Sequence, residues 1–153
     1  MSQPSTGPVG TFVVFTVAST SYALRSESVL YMEMVEQVTR VPNAAPFVDG
    51  VVFSRGQVVP AVNLRARFGF DRVPYEPRTR LLVVQAASRT LGLIVDTARE
   101  FVRFPVDAIQ PPQEALSGTS GRYVEGIVSL NDRLILVLDL EQLMNFSEPL
   151  VAA

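Results

Sequence analysis

The chain has 153 residues, of which 48% are hydrophobic and 18% charged, with a net charge of −2, which favours a globular protein over a disordered one. It contains no His, Cys, Trp or Lys, so all 13 basic residues are Arg. Imidazole bases, disulfides, thiolate or His metal sites, Lys nucleophiles and Walker-type phosphate loops are therefore excluded, and neither an enzyme nor a bound metal or cofactor is expected.

The predicted elements are short β-strands, and the first two form a hairpin. Phe12–Val17 is β-branched and aromatic on both faces, which is typical of a doubly buried strand. Polar residues 19–21 turn the chain into a second strand at Tyr22–Leu24. Ser26 can cap one helical turn, and the alternation from Tyr31 to Val35 then predicts another strand.

A second hairpin is predicted within Gly50–Val62, around a tight turn at Arg55-Gly56. Gly56 can supply the positive φ that such a turn needs. Asn63 stands at the N-cap position of a short helix that ends at Phe68. The proline-containing segments on either side of this region, residues 42–46 and 69–79, are predicted loops.

The second half of the chain shows the same kinds of element. Further strands are predicted at Leu81–Val84, Leu91–Val95, Phe101–Phe104, Val124–Leu130 and Leu134–Leu138. The last two form a hairpin turned at Asn131-Asp132, and Pro111–Gly121 is expected to be flexible. Asp139 is predicted to cap a helix that extends to Phe146, with Gln142 at the partner position of a capping box.

An internal repeat relates the two halves of the chain. Residues 50–64 align without gaps on residues 126–140, and residues 12–24 align on residues 81–93. In the first of these alignments the turn position, the Asn or Asp helix cap and the apolar pattern coincide. The repeat predicts an all-β fold of two barrels of about five strands, each too small to be stable alone, packed on a shared core with short helices.

The remaining bulk features concern boundaries and location. Residues 1–10 carry neither a basic region nor an apolar stretch, so no signal peptide is expected. The longest aliphatic run, Leu134–Leu138, is far shorter than the roughly 20 residues of a membrane helix, which predicts a cytoplasmic protein without direct membrane insertion. We expect one domain over residues 11–146, with flexible tails at residues 1–10 and 147–153.

Two carboxylate pairs and one serine-containing loop are the candidates for catalysis. The pairs Glu33/Glu36 and Asp96/Glu100 lack a neighbouring His, Lys or ligand set, so solvated or structural roles are favoured. The segment Ser117–Gly121 resembles a nucleophile loop, but a Ser nucleophile needs an activating base, usually His. We therefore interpret this segment as a flexible loop.

Three further features leave alternatives open. Five arginines lie among aromatic residues in the segment 65–80, which is the mixture that small barrels use on single-stranded nucleic acid, although the chain as a whole is acidic. Met32 and Met34 can fill the core or form an adaptable partner surface. Arg55 at its hairpin turn is either solvated or a binding anchor.

The order and spacing of the strand motifs resemble the CheW-like chemotaxis coupling proteins. The resemblance spans about residues 11–146, and no single motif carries it alone. The segments that carry it are Phe12–Val17, Tyr22–Leu24, Val38–Val41, Phe47–Val51, Arg55-Gly56, Val59–Leu64, Leu91–Asp96, Ile109–Pro112, Tyr123–Gly126 and Leu134–Leu140.

The resemblance implies a non-enzymatic adaptor built of two five-stranded SH3-like barrels. Such adaptors bridge the cytoplasmic tip of methyl-accepting chemoreceptors and the regulatory domain of the chemotaxis histidine kinase, in arrays at the membrane. It also implies a receptor-binding groove between the barrels, with Phe101 and Val102 on the second barrel. Together with the residues that flank these motif positions, the predicted receptor-binding residues are Val29, Tyr31, Gly50, Phe53, Arg55, Phe101 and Val102.

This chain departs from the family pattern at several of these positions. Tyr31 replaces a carboxylate, Phe53-Ser54 replaces Asn-Leu, and Asn63 replaces Asp. A basic and an aromatic residue that help to close kinase–coupler rings are matched by Gln110 and Ala115, our candidate kinase ring contacts. The departures favour a divergent coupler that serves a non-standard chemosensory pathway.

Overall fold

The computed structural model describes residues 7–112 and 121–145 as ten strands, two short α-helices and three single 3₁₀ turns. The strands are β1 (Val9–Val17), β2 (Thr20–Arg25), β3 (Val29–Met34), β4 (Val48–Ser54), β5 (Gln57–Asn63), β6 (Arg80–Ala86), β7 (Arg89–Val95), β8 (Thr97–Pro105), β9 (Val124–Leu130) and β10 (Arg133–Leu138). The helices are α1 (Leu64–Arg67) and α2 (Leu140–Leu143), and the 3₁₀ turns are Ser26–Ser28, Val106–Ala108 and Gly121–Tyr123.

The strands form two five-stranded sheets, which confirms the predicted fold class. One sheet has the order β8-β1-β2-β10-β9, and the other has the order β3-β6-β7-β5-β4. We call the first the split barrel, because the rest of the chain separates its strands, and the second the contiguous barrel. Neighbouring strands are antiparallel except for β10 beside β2 and β5 beside β7, which are parallel.

The sequence repeat maps one sheet onto the other, strand for strand. Under the repeat β1 corresponds to β6, β2 to β7, β3 to β8, β4 to β9 and β5 to β10, and the two strand orders then become identical. The repeats do not coincide with the barrels, however. The first repeat, β1 to β5, places its first hairpin in the split barrel and its other three strands in the contiguous barrel. The second repeat, β6 to β10, does the reverse.

Three apolar clusters account for the packing. One lies inside the split barrel around Phe12 and Phe104, whose rings stack with centroids 4.1 Å apart. A second lies inside the contiguous barrel around Leu81 and Val83. The third and largest is built from both sheets and both helices, with Phe15, Tyr22 and Phe68 among its members. This third cluster is the predicted shared core, and its burial links the two barrels.

Four hairpins turn through two residues that both have positive φ, as type I′ turns require. These pairs are Ala18-Ser19, Arg55-Gly56, Ala87-Ser88 and Asn131-Asp132. The second and fourth turns were predicted. The first lies one residue earlier than predicted, and β2 already begins at Thr20, because a β-branched residue is strongly disfavoured at positive φ.

Both helices follow a strand directly and begin at a predicted cap. The Asn63 side chain accepts from the N–H of Ala66, and the Asp139 side chain accepts from the N–H of Gln142. The predicted capping box is incomplete, because the N–H of Asp139 donates to the carbonyl of Tyr123 instead. The second helix also ends sooner than predicted, at Leu143.

Buried Arg67 holds the end of α2 against α1. Its guanidinium donates to the carbonyls of Leu143 and Asn145, and it lies over the rings of Phe47 and Tyr123. These contacts satisfy carbonyl oxygens that the last turn of a helix leaves without partners. They also explain how a charged side chain is accommodated at 7% exposure.

The predicted tail at residues 1–10 is too long by at least two residues. Val9 and Gly10 belong to β1 and pair with Pro105 and Phe104 of β8. Residues 1–6, 113–120 and 146–153 lie outside the described residues, and so does most of the predicted flexible segment Pro111–Gly121.

Candidate functional site

The β4–β5 hairpin carries an exposed apolar pair at its tip. Phe53 is 78% exposed and Val58 65%, and the two residues face each other across the hairpin. Directly opposed residues place their side chains on the same face of a sheet. With Arg55, which lies in the turn between them, they form what we call the hairpin patch. An exposed apolar pair beside a cation is typical of a protein-binding surface.

Arg55 packs on Tyr31, which is itself held by hydrogen-bonded side chains. Its guanidinium carbon lies 3.7 Å from the centroid of the Tyr31 ring. The Tyr31 hydroxyl lies 2.7 Å from Oγ of Ser54, and Oγ of Ser54 donates to Glu33 at 2.6 Å. Ser54 is buried at 3% exposure, so these hydrogen bonds are partly shielded from water. The structure thus brings together predicted residues from β3 and from the β4–β5 hairpin.

The other predicted residue of β3, Val29, packs elsewhere. Val29 is half-buried against the shared core between the barrels, whereas Tyr31 packs against the interior of the contiguous barrel. A register irregularity between Val29 and Tyr31 separates these two environments.

Gly50 is buried, and its role is structural. Its φ is +149°, and a Cβ atom added there would lie 2.1 Å from the carbonyl oxygen of Thr39. The backbones of Thr39 and Val51 exchange two hydrogen bonds at this point, which requires a close approach. A bulky side chain at Gly50 would therefore disrupt the fold, so Gly50 is not a position at which receptor contact alone can be tested.

Phe101 and Val102 lie on β8 of the split barrel. Phe101 is 62% exposed, and Val102 packs against the interior of that barrel. The contacts that join Tyr31, Ser54 and Arg55 stay within the contiguous barrel. Beside Phe101, Glu100 forms an ion pair with Arg133 of β10 at 2.7 Å.

The candidate kinase contacts fall in a different part of the molecule. Gln110 is exposed and pairs through its backbone with Ile127 of β9, which repeats the pairing of Thr39 with Val51. Ala115 lies outside the described residues.

Of the two methionines of β3, one fills the core and the other is exposed at the surface. Met32 packs against the shared core, whereas Met34 is 52% exposed. Met34 and Phe53 help to line an open cleft of about 420 Å³ between β3 and β4, with Glu33 and Glu36 also at its wall. The hairpin patch therefore continues into a partly apolar depression at the seam of the contiguous barrel.

The arginines of the segment 65–80 are engaged within the protein. Arg65 pairs with Asp96, Arg72 with Asp49 and Arg78 with Glu76, while the buried Arg67 binds α2. Arg80 donates to the carbonyls of Pro77 and Thr79. A nucleic-acid site needs these cations for phosphates, so the geometry does not support that alternative.

Three of the four carboxylates that are candidates for catalysis, Asp96, Glu33 and Glu100, have structural partners. Asp96 accepts from Arg65 and from the N–H of Ala18, which joins the two barrels. Burial alone would raise the pKa of Asp96, but these hydrogen bonds outweigh it and lower the pKa below its usual value. Glu33 accepts from Ser54, and Glu100 pairs with Arg133. Of the segment 117–121, residues 117–120 lie outside the described residues.

Sequence reasoning missed Val58 and Glu33 as parts of this site and noted Ser54 only as a departure from the family pattern. Val58 could have been found, because a two-residue turn at 55–56 places residues 53 and 58 opposite each other. The hydrogen bonds of Ser54 with Tyr31 and Glu33 gave no such signal, since β3 and β4 are not neighbours in the sheet.

A search of the described residues for helices that are long and apolar enough to span a membrane finds none.

The sequence is similar to that of known CheW-like proteins over most of its length. The family model for the CheW-like domain matches residues 11–148. The chemotaxis protein CheW of Helicobacter pylori is 32% identical over 133 residues, which cover 87% of this chain and 80% of that protein. Protein FrzA of Myxococcus xanthus is 30% identical over 147 residues, which cover 95% of this chain and 88% of that protein.

Among solved structures, the chain resembles the scaffolding protein TtCheW from Thermoanaerobacter tengcongensis. The TM-score is 0.83 at 26% sequence identity, and the match covers 92% of this chain and 95% of that chain. Sequence and architecture thus agree over almost the whole length, including the two SH3-like barrels. The chain belongs to the CheW-like domain family.

Proposed function

We propose that this chain is a non-enzymatic chemosensory adaptor that couples methyl-accepting chemoreceptors to a chemotaxis-type histidine kinase. The observation that carries the proposal is the match of the family model and of a two-barrel scaffolding protein across nearly the whole chain. The surface is consistent with this role, since the most exposed large apolar side chains of the described residues lie on strands β4, β5, β8 and β10. We place the adaptor in the cytoplasm, peripheral to membrane receptor arrays.

The receptor-binding part of the proposal rests on the hairpin patch. Phe53 offers apolar contact, and Arg55 offers N–H donors to a partner's carboxylate. Phe101 offers a second apolar contact from the split barrel, next to half-buried Val102. Val29 and Gly50 contribute indirectly, by packing β3 on the shared core and by allowing β4 to approach residue 39.

Substitution of Arg55 tests the receptor-binding surface. We expect Arg55→Ala to weaken binding of a purified receptor signalling domain by about tenfold, the range of an interface anchor. Arg78→Ala is a matched control, because Arg78 is also exposed but pairs with Glu76 outside the patch. Equal affinity of the two folded variants, measured by isothermal titration calorimetry, would contradict the assignment of the patch.

A separate surface would bind the kinase. Gln110 and Ala115 occupy the positions that the family resemblance assigns to ring contacts, and Gln110 is exposed. We expect Gln110→Arg to change the affinity for the kinase regulatory domain and to leave receptor binding as it is. A change in receptor affinity alone would contradict the assignment.

A further inference from the structure

In sheet order, β3 and β4 are the two edge strands of the contiguous barrel. Hydrogen bonds between their side chains join these two edges. Because the single proton of the Ser54 hydroxyl goes to Glu33, the Tyr31 hydroxyl must donate to Ser54. The order of donation is therefore Tyr31 to Ser54 to Glu33. The hydrogen bond to Ser54 restrains the Tyr31 ring, and one face of that ring lies against the guanidinium of Arg55.

Contact with a ring leaves the hydrogen-bonding groups of Arg55 unused. Among residues 7–112 and 121–145, Arg55 makes the ring contact with Tyr31 and no hydrogen bond or ion pair. A guanidinium stacked on an aromatic face keeps its N–H groups at its edge, where they can donate to a carboxylate.

The internal repeat supplies a comparison within the same molecule. Tyr31 faces Val83 of β6, and Glu100 faces Val14 of β1, so the repeat places Glu100 where the contiguous barrel has Tyr31. Glu100 forms an ion pair with Arg133 from the corresponding hairpin, and that pair occupies the guanidinium. Arg133 aligns with Gln57 and not with Arg55, so the repeat shows only that position 31 places a ring against a hairpin guanidinium where position 100 places a carboxylate.

We propose that Tyr31 is a positioning residue for Arg55, held in place by Ser54 and Glu33, and that it presents the guanidinium edge to an acidic side chain of the partner. This inference rests on the proposed receptor-binding function of the hairpin patch. It assigns the recognition of a partner carboxylate to a ring-supported arginine beside the exposed Phe53. The two residues at positions 31 and 54 then act as one unit.

A double-mutant cycle on the full chain tests the positioning role. The probe is the purified cytoplasmic signalling domain of a methyl-accepting chemoreceptor from the same organism, titrated calorimetrically. We expect Tyr31→Leu and Arg55→Ala each to lower the affinity about tenfold, and the double variant to be no more than about threefold weaker than either. Tyr31→Phe, which keeps the ring and loses the hydroxyl, should lose only about threefold.

Glu100→Leu is the matched control from the other barrel. Glu100 does not touch Arg55 in the described contacts, so its effect should multiply with that of Arg55→Ala. Multiplied losses for Tyr31→Leu with Arg55→Ala would overturn the positioning role. Thermal unfolding followed by circular dichroism verifies that each variant is folded.

A partner-free measurement separates this inference from the proposed function. The Tyr31 ring should shift the side-chain NMR signals of Arg55 upfield, and Tyr31→Leu should abolish that shift while Tyr31→Phe keeps it. Failure of the wild-type chain to bind the receptor domain would overturn the proposed function. Absence of the ring-current shift in the wild-type chain would overturn the positioning role.

Discussion

Arginine side chains take structural roles here that lysine could not fill as well. Arg67 donates to two carbonyls and contacts two rings at once, which a planar, multiply donating cation can do. Arg65 binds both carboxylate oxygens of Asp96 in the same manner. The all-arginine composition therefore matches contacts that bridge separate elements of the fold.

The stability that Asp96 contributes to the fold should depend on pH. Its pKa is lowered on folding, so its contribution to stability is present above the unfolded pKa of about 4 and is lost as pH falls through the folded value. We expect Asp96→Asn to lower the free energy of unfolding by about 1–2 kcal/mol at pH 7. The difference from wild type should shrink below about pH 4, as measured by urea denaturation.

A control for this prediction lies on the surface. Glu76→Gln alters an ion pair whose two side chains are largely exposed, so it should change stability little at either pH. A difference between Asp96→Asn and wild type that stays constant from pH 7 to pH 3 would contradict the link between the carboxylate and stability.

The sequence predicted the candidate site only in part, for a reason visible in its residues. The turn at Arg55-Gly56 and the exposed Phe53 follow from local patterns and from the family resemblance. The hydrogen bond from Tyr31 to Ser54 joins positions 23 residues apart on the two edge strands. Two separate departures from a family pattern therefore became one feature only in three dimensions.

At the scale of elements, the four type I′ turns differ in how well their residues suit positive φ. Asn, Asp and Gly tolerate this conformation, and they occupy three of the four positions in the turns of the β4–β5 and β9–β10 hairpins. Ala87-Ser88 has φ values of +52° and +67° without such a residue. The sequence predicted the two favourable turns, whereas the alanine-serine pairs carry no comparable signal.

Replacing the unfavourable turn should therefore stabilise the protein. We expect Ala87→Asn with Ser88→Gly to raise the free energy of unfolding by about 1 kcal/mol, because both residues then adopt positive φ at lower cost. Chemical denaturation provides the measurement. Ala86→Gly is the contrasting variant, since residue 86 ends β6, and it should destabilise the fold.

At the scale of the whole molecule, the repeats exchange their first hairpins between the barrels. The sequence revealed the duplication through local similarity but could not show which strands pair. The pairing of β1 with β8 joins residues about 90 positions apart, and local sequence patterns cannot predict such a contact. The shared core explains why exchange is stable, since both repeats contribute to it.

This exchange predicts how the chain behaves when it is cut. Fragments 1–77 and 78–153 each contain strands from both sheets but complete neither, so we expect each to be unfolded alone. Mixed in equal amounts, they should form a folded one-to-one complex, as measured by circular dichroism and size-exclusion chromatography. A fragment that is folded and monomeric by itself would contradict this interpretation of the repeat.

The bond between Asp96 and the N–H of Ala18, at the edge of the shared core, has a mechanical consequence. The chain crosses from the split barrel to the contiguous barrel after β2 and returns after β7, with Asp96 at the second crossing. Rotation of one barrel against the other would have to open the common core and strain both crossings. A displacement imposed on the hairpin patch should therefore move the contiguous and split barrels together as one rigid body, without a hinge between them.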